Sequence, residues 1–203
     1  ADVTVAVQPV EADGATALGI LKLDDDSRIV SFTEKPNKEK LKGLESGNNP
    51  DRPYMGSMGI YIFKREALIK MFTSNPDATD FGKEIIPKFI SDNLSVISYE
   101  YSGYWTDIGT IKSFYDANLE LTDTLPQFNV YDNNKQVYTR ARLLPASKIS
   151  GTTLEKTVIA EGCIINASRL EHTLVGIRSR IGNGTTVAAV SYTHLRAHET
   201  KAN

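Results

Sequence analysis

The stretch VIAEGCIINASRLEHTLVGIRSRIGNGTTV (residues 158–187) decides the fold of the C-terminal part of the chain. Apolar residues recur along it every six positions, with one shift of a single residue in the middle. A six-residue apolar repeat is typical of a parallel β-helix, in which short strands stack coil upon coil. The alternative is chance recurrence in a β-rich region. The members of the repeat are Val158, Ile164, Leu170, Val175, Ile181 and Val187.

Upstream of this repeat, short apolar strands alternate with amphipathic helices, which predicts an α/β layer structure. The chain opens with a strand at residues 3–7 that we expect to stop at Pro9. Residues 19–23 and 28–32 flank the polar turn Asp24–Ser27 and predict a hairpin. Further strands are predicted at 54–63 and 96–101, and helices at 65–73, at 85–90 and after Thr110. The apolar face of the last helix is predicted to comprise Ile111, Phe114, Ala117, Leu119 and Leu121.

These patterns divide the chain into four parts: an α/β part at 1–122, a connector of loops and short strands at 123–144, β-helix coils at 145–190 and a tail at 191–203. The tail breaks the repeat abruptly, and we expect it to be foreign to the protein. His194 and His198 within it are four residues apart, a spacing found in zinc sites. We reject a zinc site here because the segment breaks the repeat.

Composition excludes several classes of protein. The chain has 203 residues, 40% hydrophobic and 24% charged, with a formal net charge of −2, so it lacks the basic surface of a nucleic-acid-binding protein. The single cysteine, Cys163, excludes a disulfide framework and is compatible with a cytoplasmic protein. No apolar run is long enough to predict a membrane span. Because the chain begins within a strand and without methionine, we expect it to be part of a longer protein.

Six polar or glycine residues lie beside strand ends or turns, where a sheet can present them to a ligand. Taken singly, each has an ordinary interpretation: Glu34 and Lys35 as a surface ion pair, Ser57 as a strand serine, Asp107 as a helix N-cap. Taken together, they suit the transfer of a nucleotide to a sugar phosphate. The set is Gly19, Glu34, Lys35, Ser57, Asp80 and Asp107.

Nucleotidyl transfer needs no general base from the protein, because a sugar phosphate with a second pKa of about 6 is already largely a dianion at neutral pH. The protein must position two anions that repel each other and neutralise the charge that develops. Lys35 suits the phosphate, and the carboxylate of Asp107 suits a magnesium ion. Glu34 and Ser57 can hydrogen-bond sugar hydroxyls, and Gly19 would let the backbone approach the ligand.

In this order, these segments resemble the ADP-glucose pyrophosphorylase (glucose-1-phosphate adenylyltransferase) family over the chain up to about Val187. The segments with SMGIY and DFGKEIIP point to the ADP-glucose branch, whereas EKP and WxDxGT occur across sugar nucleotidyltransferases. The resembling segments are LGIL (18–21), FTEKP (32–36), SMGIY (57–61), DFGKEIIP (80–87), GYWTDIGT (103–110) and LLPASK (143–148).

The resemblance implies the second half of a Rossmann-like nucleotidyltransferase domain followed by the start of a left-handed parallel β-helix. It implies Mg²⁺-dependent transfer of AMP from ATP to glucose 1-phosphate, usually by a tetramer. It places glucose 1-phosphate on Gly19, Glu34, Lys35 and Ser57, and magnesium on Asp107. The family's glycine-rich ATP loop and second metal aspartate would precede Ala1, so we expect this chain alone to be inactive.

Three other functions stay open from the sequence. A related pyrophosphorylase could use UTP or dTTP, because the residues that would read the base are not in this chain. A regulatory subunit could bind sugar phosphate without turnover, although such a subunit has no need of Asp107. An acyltransferase also uses six-residue β-helix repeats, but it would need a catalytic histidine, for which only His172 qualifies.

Overall fold

The computed structural model describes residues 1–192. Two compact units are present, one comprising residues 1–105 and the other beginning at Thr106. The predicted tail residues His194 and His198 lie outside the described residues.

The first unit is built on a six-stranded mixed sheet. Its strand order is β3-β2-β5-β1-β6, with β4 paired to β5. Only β1 and β6 run parallel, and the other pairs are antiparallel. The strands are β1 (Val3–Val10), β2 (Gly19–Leu23), β3 (Ile29–Glu34), β4 (Glu45–Asn49), β5 (Arg52–Phe63) and β6 (Val96–Glu100).

The predicted hairpin is confirmed as β2 and β3, and its turn is closed by Asp24, whose carboxylate accepts the N–H groups of Asp26 and Arg28. The first strand is longer than predicted, because β1 continues through Pro9 to Val10. β6 pairs only with residues Val3 to Val7 of β1. Pro9 therefore lies where the strand has a single neighbour, a position that tolerates proline.

Helical segments pack on both faces of this sheet. A short turn, α1 (Ala12–Ala15), follows β1, and α2 (Arg65–Ser74) follows β5. The next helix begins with a π-helical turn at Phe81–Ile85, here called the π-turn, and continues as α3 (Ile86–Ser91). Ala15 of α1 packs with Ile20 and Tyr54 on one face, whereas α2, the π-turn and α3 pack on the other. The buried core between the sheet and α2, the π-turn and α3 consists of Val3, Val5, Val7, Leu21, Ile29, Met55, Met71, Ile85, Ile86, Phe89 and Val96.

The second unit begins with α4 (Ile111–Glu120) and ends in a parallel β-helix. Segment 121–147 between them forms turns and loops without the short strands that the sequence predicts. Ile111 is 92% exposed, so its place in the predicted apolar face of α4 was wrong, whereas Leu119 is buried. The β-helix strands are β7 (Lys148–Ile149), β8 (Thr153–Ile159), β9 (Ile164–Ile165), β10 (Arg169–Val175), β11 (Arg180–Ile181) and β12 (Thr186–Tyr192).

Each coil of the β-helix has three faces. β7, β9 and β11 stack on one face, and β8, β10 and β12 each bend in the middle to supply the other two. The bends fall at Lys156, His172 and Ala189, which the pairing registers pass over and which have φ values of 43°, 45° and 52°. Equivalent residues of the first and second coils are 16 positions apart, and those of the second and third are 17 apart at β10 and β12. The predicted stacking is therefore present.

The phase of the repeat differs from the prediction at two of its members, one in the first coil and one in the second. Ile165 is fully buried and Ile159 packs against the same core, whereas the predicted members Val158 and Ile164 are outside it. Gly162, with φ of 77°, lies between the two apolar pairs. The buried core of the coils consists of Cys163, Ile165, Ala167, Leu170, Val175, Ile181 and Val187.

Candidate functional site

The β2–β3 hairpin brings two of the predicted site residues together. Gly19 pairs directly with Glu34 across the hairpin. A Cβ atom on residue 19 would lie 2.5 Å from Cζ of Phe32 and 2.8 Å from Oε2 of Glu34. A larger residue at position 19 would therefore clash with Phe32 and Glu34. The sequence indicated only that glycine would let a ligand approach the backbone.

Lys35 follows Glu34 at the end of β3 and turns the chain sharply. Its φ is 46°, in the left-handed region that few residues other than glycine adopt. Its backbone N–H donates to the carbonyl of Leu18 at 3.0 Å, and the next residue, Pro36, is buried. These contacts hold the strained backbone while the Lys35 side chain stays exposed. The ammonium is thus presented to solvent from a fixed backbone position.

The π-turn also approaches the Glu34 carboxylate. A Cβ atom on Gly82 would lie 3.0 Å from Oε2 of Glu34 and 3.3 Å from Cε1 of Phe32. Two glycines from different elements therefore flank one carboxylate. Gly82 belongs to the DFGKEIIP segment, but its approach to Glu34 has no local signal in the sequence because the two residues are far apart along the chain.

Asp80 fixes the start of the π-turn. Its Oδ1 accepts the backbone N–H of Lys83 at 2.8 Å, and that hydrogen bond, together with the nearby Lys83 charge, lowers the pKa of Asp80 despite slight desolvation. Glu84 completes the arrangement by accepting the N–H groups of Thr79 and Asp80. The carboxylate of Asp80 therefore acts as a helix cap in this structure.

Ser57 and Tyr61 of β5 carry hydroxyl groups that hydrogen-bond each other, and the charge of Glu34 acts on the Tyr61 phenol. Ser57 is 7% exposed, and its Oγ accepts the N–H of Gly59 at 3.2 Å. Tyr61 stacks on Phe81 of the π-turn with ring centroids 5.6 Å apart. Burial raises the pKa of the Tyr61 phenol more than a hydrogen bond with Ser57 lowers it, and the charges of Glu34 and Asp80 raise it further. Tyr61 was not among the predicted site residues, although it ends the SMGIY segment.

The shifted pKa of Tyr61 predicts a loss of stability at alkaline pH. The folded-state pKa lies above the unfolded value of about 10, so the unfolded chain releases this proton first as the pH rises. We expect the free energy of unfolding to be independent of this group below about pH 9 and to fall above about pH 10. Urea unfolding between pH 8 and 11 measures this, and Tyr61→Phe should flatten the decline. Tyr138→Phe is the matched control, because Tyr138 is 91% exposed; equal curves for wild type and Tyr61→Phe would contradict the prediction.

Asp107 lies in the second unit, just after its boundary with the first. It is exposed, and its carboxylate lies over Gly109, where an added Cβ atom would be 2.9 Å from Oδ2. The helix that follows is capped by Thr110, whose side chain accepts the N–H of Ser113 at 3.0 Å. The interpretation of Asp107 as the N-cap is therefore wrong, and its carboxylate does not serve that purpose.

Within residues 1–192, no group of three or more His, Cys, Asp or Glu side chains is placed to hold a metal ion. Asp107 offers one exposed carboxylate. Such a donor fits Mg²⁺, which is often bound by one or two carboxylates together with substrate phosphates and water. It does not fit zinc, whose structural sites need four protein ligands.

The model of the nucleotidyl transferase family matches residues 1–124, more than half of the chain. The chain belongs to this family. A second model, described as the GLGC left-handed parallel beta-helix domain, matches residues 142–202. It supplies the handedness of the coils and confirms the predicted combination of an α/β nucleotidyltransferase part and a left-handed β-helix.

The chain is also similar to the chloroplastic/amyloplastic small subunit of glucose-1-phosphate adenylyltransferase from Triticum aestivum. The two are 39% identical over 214 aligned residues, which cover 100% of this chain and 45% of the wheat protein. The chain thus spans less than half the length of this relative. The similarity confirms the resemblance found from the sequence motifs.

Several predictions stay untested by these comparisons. They include the roles of Gly19, Glu34, Lys35, Ser57 and Asp107, and the four-part division of the chain. The described strand β12 runs to Tyr192, two residues into the segment predicted to be foreign. Within the described residues no helix has the length and apolarity of a membrane span. The cytoplasmic location stays a prediction, and the wheat relative is named as plastidial.

Proposed function

We propose that the full-length protein transfers AMP from ATP to glucose 1-phosphate, giving ADP-glucose and pyrophosphate, the first committed step of glycogen or starch synthesis. The observation that carries the proposal is the end of β3, where the exposed Lys35 follows Glu34, a carboxylate close to two glycines. This arrangement supplies one group for a phosphate and one for hydroxyls. Membership of the nucleotidyl transferase family supports the reaction type, and the wheat relative's name supports the substrate.

In the proposed reaction, an oxygen of the sugar phosphate attacks the α-phosphorus of ATP. A new phosphorus–oxygen bond forms, the bond to the β-phosphate breaks, and pyrophosphate leaves with its electron pair. The attacking oxygen is already deprotonated at neutral pH, so no general base is needed. The contribution of Lys35 is to hold the sugar phosphate against the repulsion of the nucleotide phosphates. A lysine is suited to this as a compact point charge.

Glu34 and Ser57 are assigned to the sugar. The Glu34 carboxylate can only accept hydrogen bonds, so it suits the hydroxyl donors of glucose. Ser57 Oγ already accepts the Gly59 N–H. Its remaining acceptor capacity and its own hydrogen can therefore serve the ligand and Tyr61.

Asp107 is assigned to magnesium. When bound, Mg²⁺ would neutralise nucleotide phosphates in the transition state. The support for this assignment is the exposure of the carboxylate and the finding that Thr110, and not Asp107, caps α4. The predicted homotetramer is part of the same proposal, and the description of the wheat relative as a small subunit supports an assembly of several chains.

The test is an assay of the full-length protein with glucose 1-phosphate, Mg²⁺ and each of ATP, UTP and dTTP, in which pyrophosphate release is measured. We expect turnover with ATP at least tenfold faster than with the other nucleotides, about the discrimination that one or two base-specific hydrogen bonds provide. Faster turnover with UTP or dTTP would identify a related pyrophosphorylase instead. Binding of glucose 1-phosphate without pyrophosphate release would identify a regulatory subunit.

A further inference from the structure

Helix α4 and the residues just after it contact the β-helix through side chains. The hydroxyl of Tyr115 donates to the carbonyl oxygen of Ala189 at 2.6 Å. Beyond the end of the helix, Asp123 forms an ion pair with Lys156, with 3.8 Å between Oδ1 and Nζ. Leu119 and Thr122 are buried. By its contacts, α4 belongs to the same compact unit as the coils, even though the nucleotidyl transferase model extends to residue 124.

The two partners on the β-helix side are equivalent corner residues. Lys156 in the first coil and Ala189 in the third both have positive φ, and the strand registers pass over both of them. The carbonyl of Ala189 is one that the ladder passes over, and both Ala189 and Tyr115 are exposed to solvent. Tyr115 supplies a hydrogen-bond donor to that carbonyl.

The other end of α4 leads to Asp107. The helix spans ten residues, or about 15 Å, and its first turn is fixed by a capping box between Thr110 and Ser113. Asp107 precedes Thr110 by three residues, and its carboxylate already lies against Gly109. A capped helix of this length moves as one body. Its contacts with the coils therefore determine the position of its first turn, and Asp107 lies just before that turn.

We propose that Tyr115 is a positioning residue for Asp107: its hydrogen bond to the corner of the third coil fixes α4 and thereby the carboxylate that binds the divalent metal. The inference rests on the assignment of Asp107 within the proposed function. It gives the β-helix a part in metal binding, because a displacement of its third coil would be transmitted along α4.

The experiment uses the full-length protein and its Tyr115→Phe variant, which keeps the ring and removes the hydroxyl. Three quantities are measured: hydrogen–deuterium exchange of peptides covering residues 106–120, Mn²⁺ affinity in the presence of ATP by electron paramagnetic resonance, and the KM for glucose 1-phosphate. We expect faster exchange in 106–120 and a loss of Mn²⁺ affinity of about threefold to tenfold, the range for one hydrogen bond. The KM for glucose 1-phosphate should stay unchanged, because the residues assigned to the sugar lie in β2, β3 and β5.

Tyr138→Phe is the matched control and should change none of the three quantities. Asp107→Asn is the reference for loss of the metal ligand and should weaken Mn²⁺ binding more than Tyr115→Phe does. Faster exchange without weaker Mn²⁺ binding would overturn the inference, because Tyr115 would then be only structural. Unchanged exchange in Tyr115→Phe, or unchanged Mn²⁺ affinity in Asp107→Asn, would also overturn it. Failure of the proposed function is seen separately, as absence of pyrophosphate release by the unmodified protein.

Discussion

Lys35→Ala in the full-length protein should raise the KM for glucose 1-phosphate by about tenfold to a hundredfold, the loss that accompanies removal of a charge-assisted hydrogen bond. The side chain is exposed, and its backbone is held by the Leu18 carbonyl, so the substitution removes the ammonium without disturbing a packed core. Alanine has a Cβ atom, as lysine does, so the substitution leaves the backbone strain at φ of 46° unchanged. Steady-state kinetics with varied glucose 1-phosphate measure the effect.

Lys38→Ala is the control for general loss of positive charge in this loop. Lys38 is exposed and paired with Asp13 at 2.8 Å, and such surface pairs contribute little to stability. We expect its KM to match the wild-type value. If Lys35→Ala leaves the KM unchanged, the role assigned to Lys35 is wrong, whatever happens to kcat. Lys35→Arg should retain part of the affinity, because it keeps the charge with a different shape.

Gly19→Ala should destabilise the first unit by about 1–3 kcal/mol, the usual cost of forcing extra atoms into a packed region. The new methyl group would lie 2.5 Å from Cζ of Phe32, and the ring cannot move as freely as the end of a long side chain. We also expect a higher KM for glucose 1-phosphate, because the Glu34 carboxylate at 2.8 Å must move as well. Chemical denaturation and steady-state kinetics report the two effects separately.

The matched control for this substitution is Gly14→Ala. Gly14 lies in α1, and a Cβ atom there would have no neighbour within 4 Å. The exchange of glycine for alanine in a helix should leave stability unchanged or raise it by up to about 1 kcal/mol. Gly82→Ala should fall between the two, since its closest neighbour would be at 3.0 Å. Equal stabilities of Gly19→Ala and Gly14→Ala would mean that Phe32 and Glu34 do not fill the space above Gly19.

The hairpin β2–β3 could be predicted from the sequence nearly to the residue. Its two apolar segments are short, and the polar turn between them is closed by one aspartate, so the local pattern contains the necessary information. The π-turn could not be predicted. It differs from an α-helical start by one residue per turn, as the hydrogen bond from the Ile85 N–H to the Asp80 carbonyl shows. Five residues are too few for their spacing to reveal that difference.

The phase of the β-helix was ambiguous for a different reason. Val158 and Ile159 are both apolar, as are Ile164 and Ile165, so either member of each pair satisfies a six-residue repeat. Which member of each pair is buried depends on the backbone conformation of the turns in the coil. Those turns cannot be assigned from the apolar pattern alone.

The candidate site shows the same limit. The sequence suggested Gly19, Glu34, Lys35 and Ser57 as candidates because they lie beside strand ends, and the structure places the first three at one end of a hairpin. The sequence could not indicate that Phe32 fills the space above Gly19, or that Gly82 reaches the Glu34 carboxylate. Those contacts depend on strand register and on the packing of the π-turn over the sheet. Such long-range contacts leave no periodic pattern in the chain.

The extra residue of the third coil has a consequence for how this protein can vary. Ile165 and Ile181 are 16 positions apart, whereas Leu170 and Val187 are 17 apart, so the additional residue is accommodated in the turn between β11 and β12. The coils stay stacked on either side of it. Chain length at this edge is thus free to change while the core keeps its order, and related proteins could carry a longer loop here without rebuilding the rest of the solenoid.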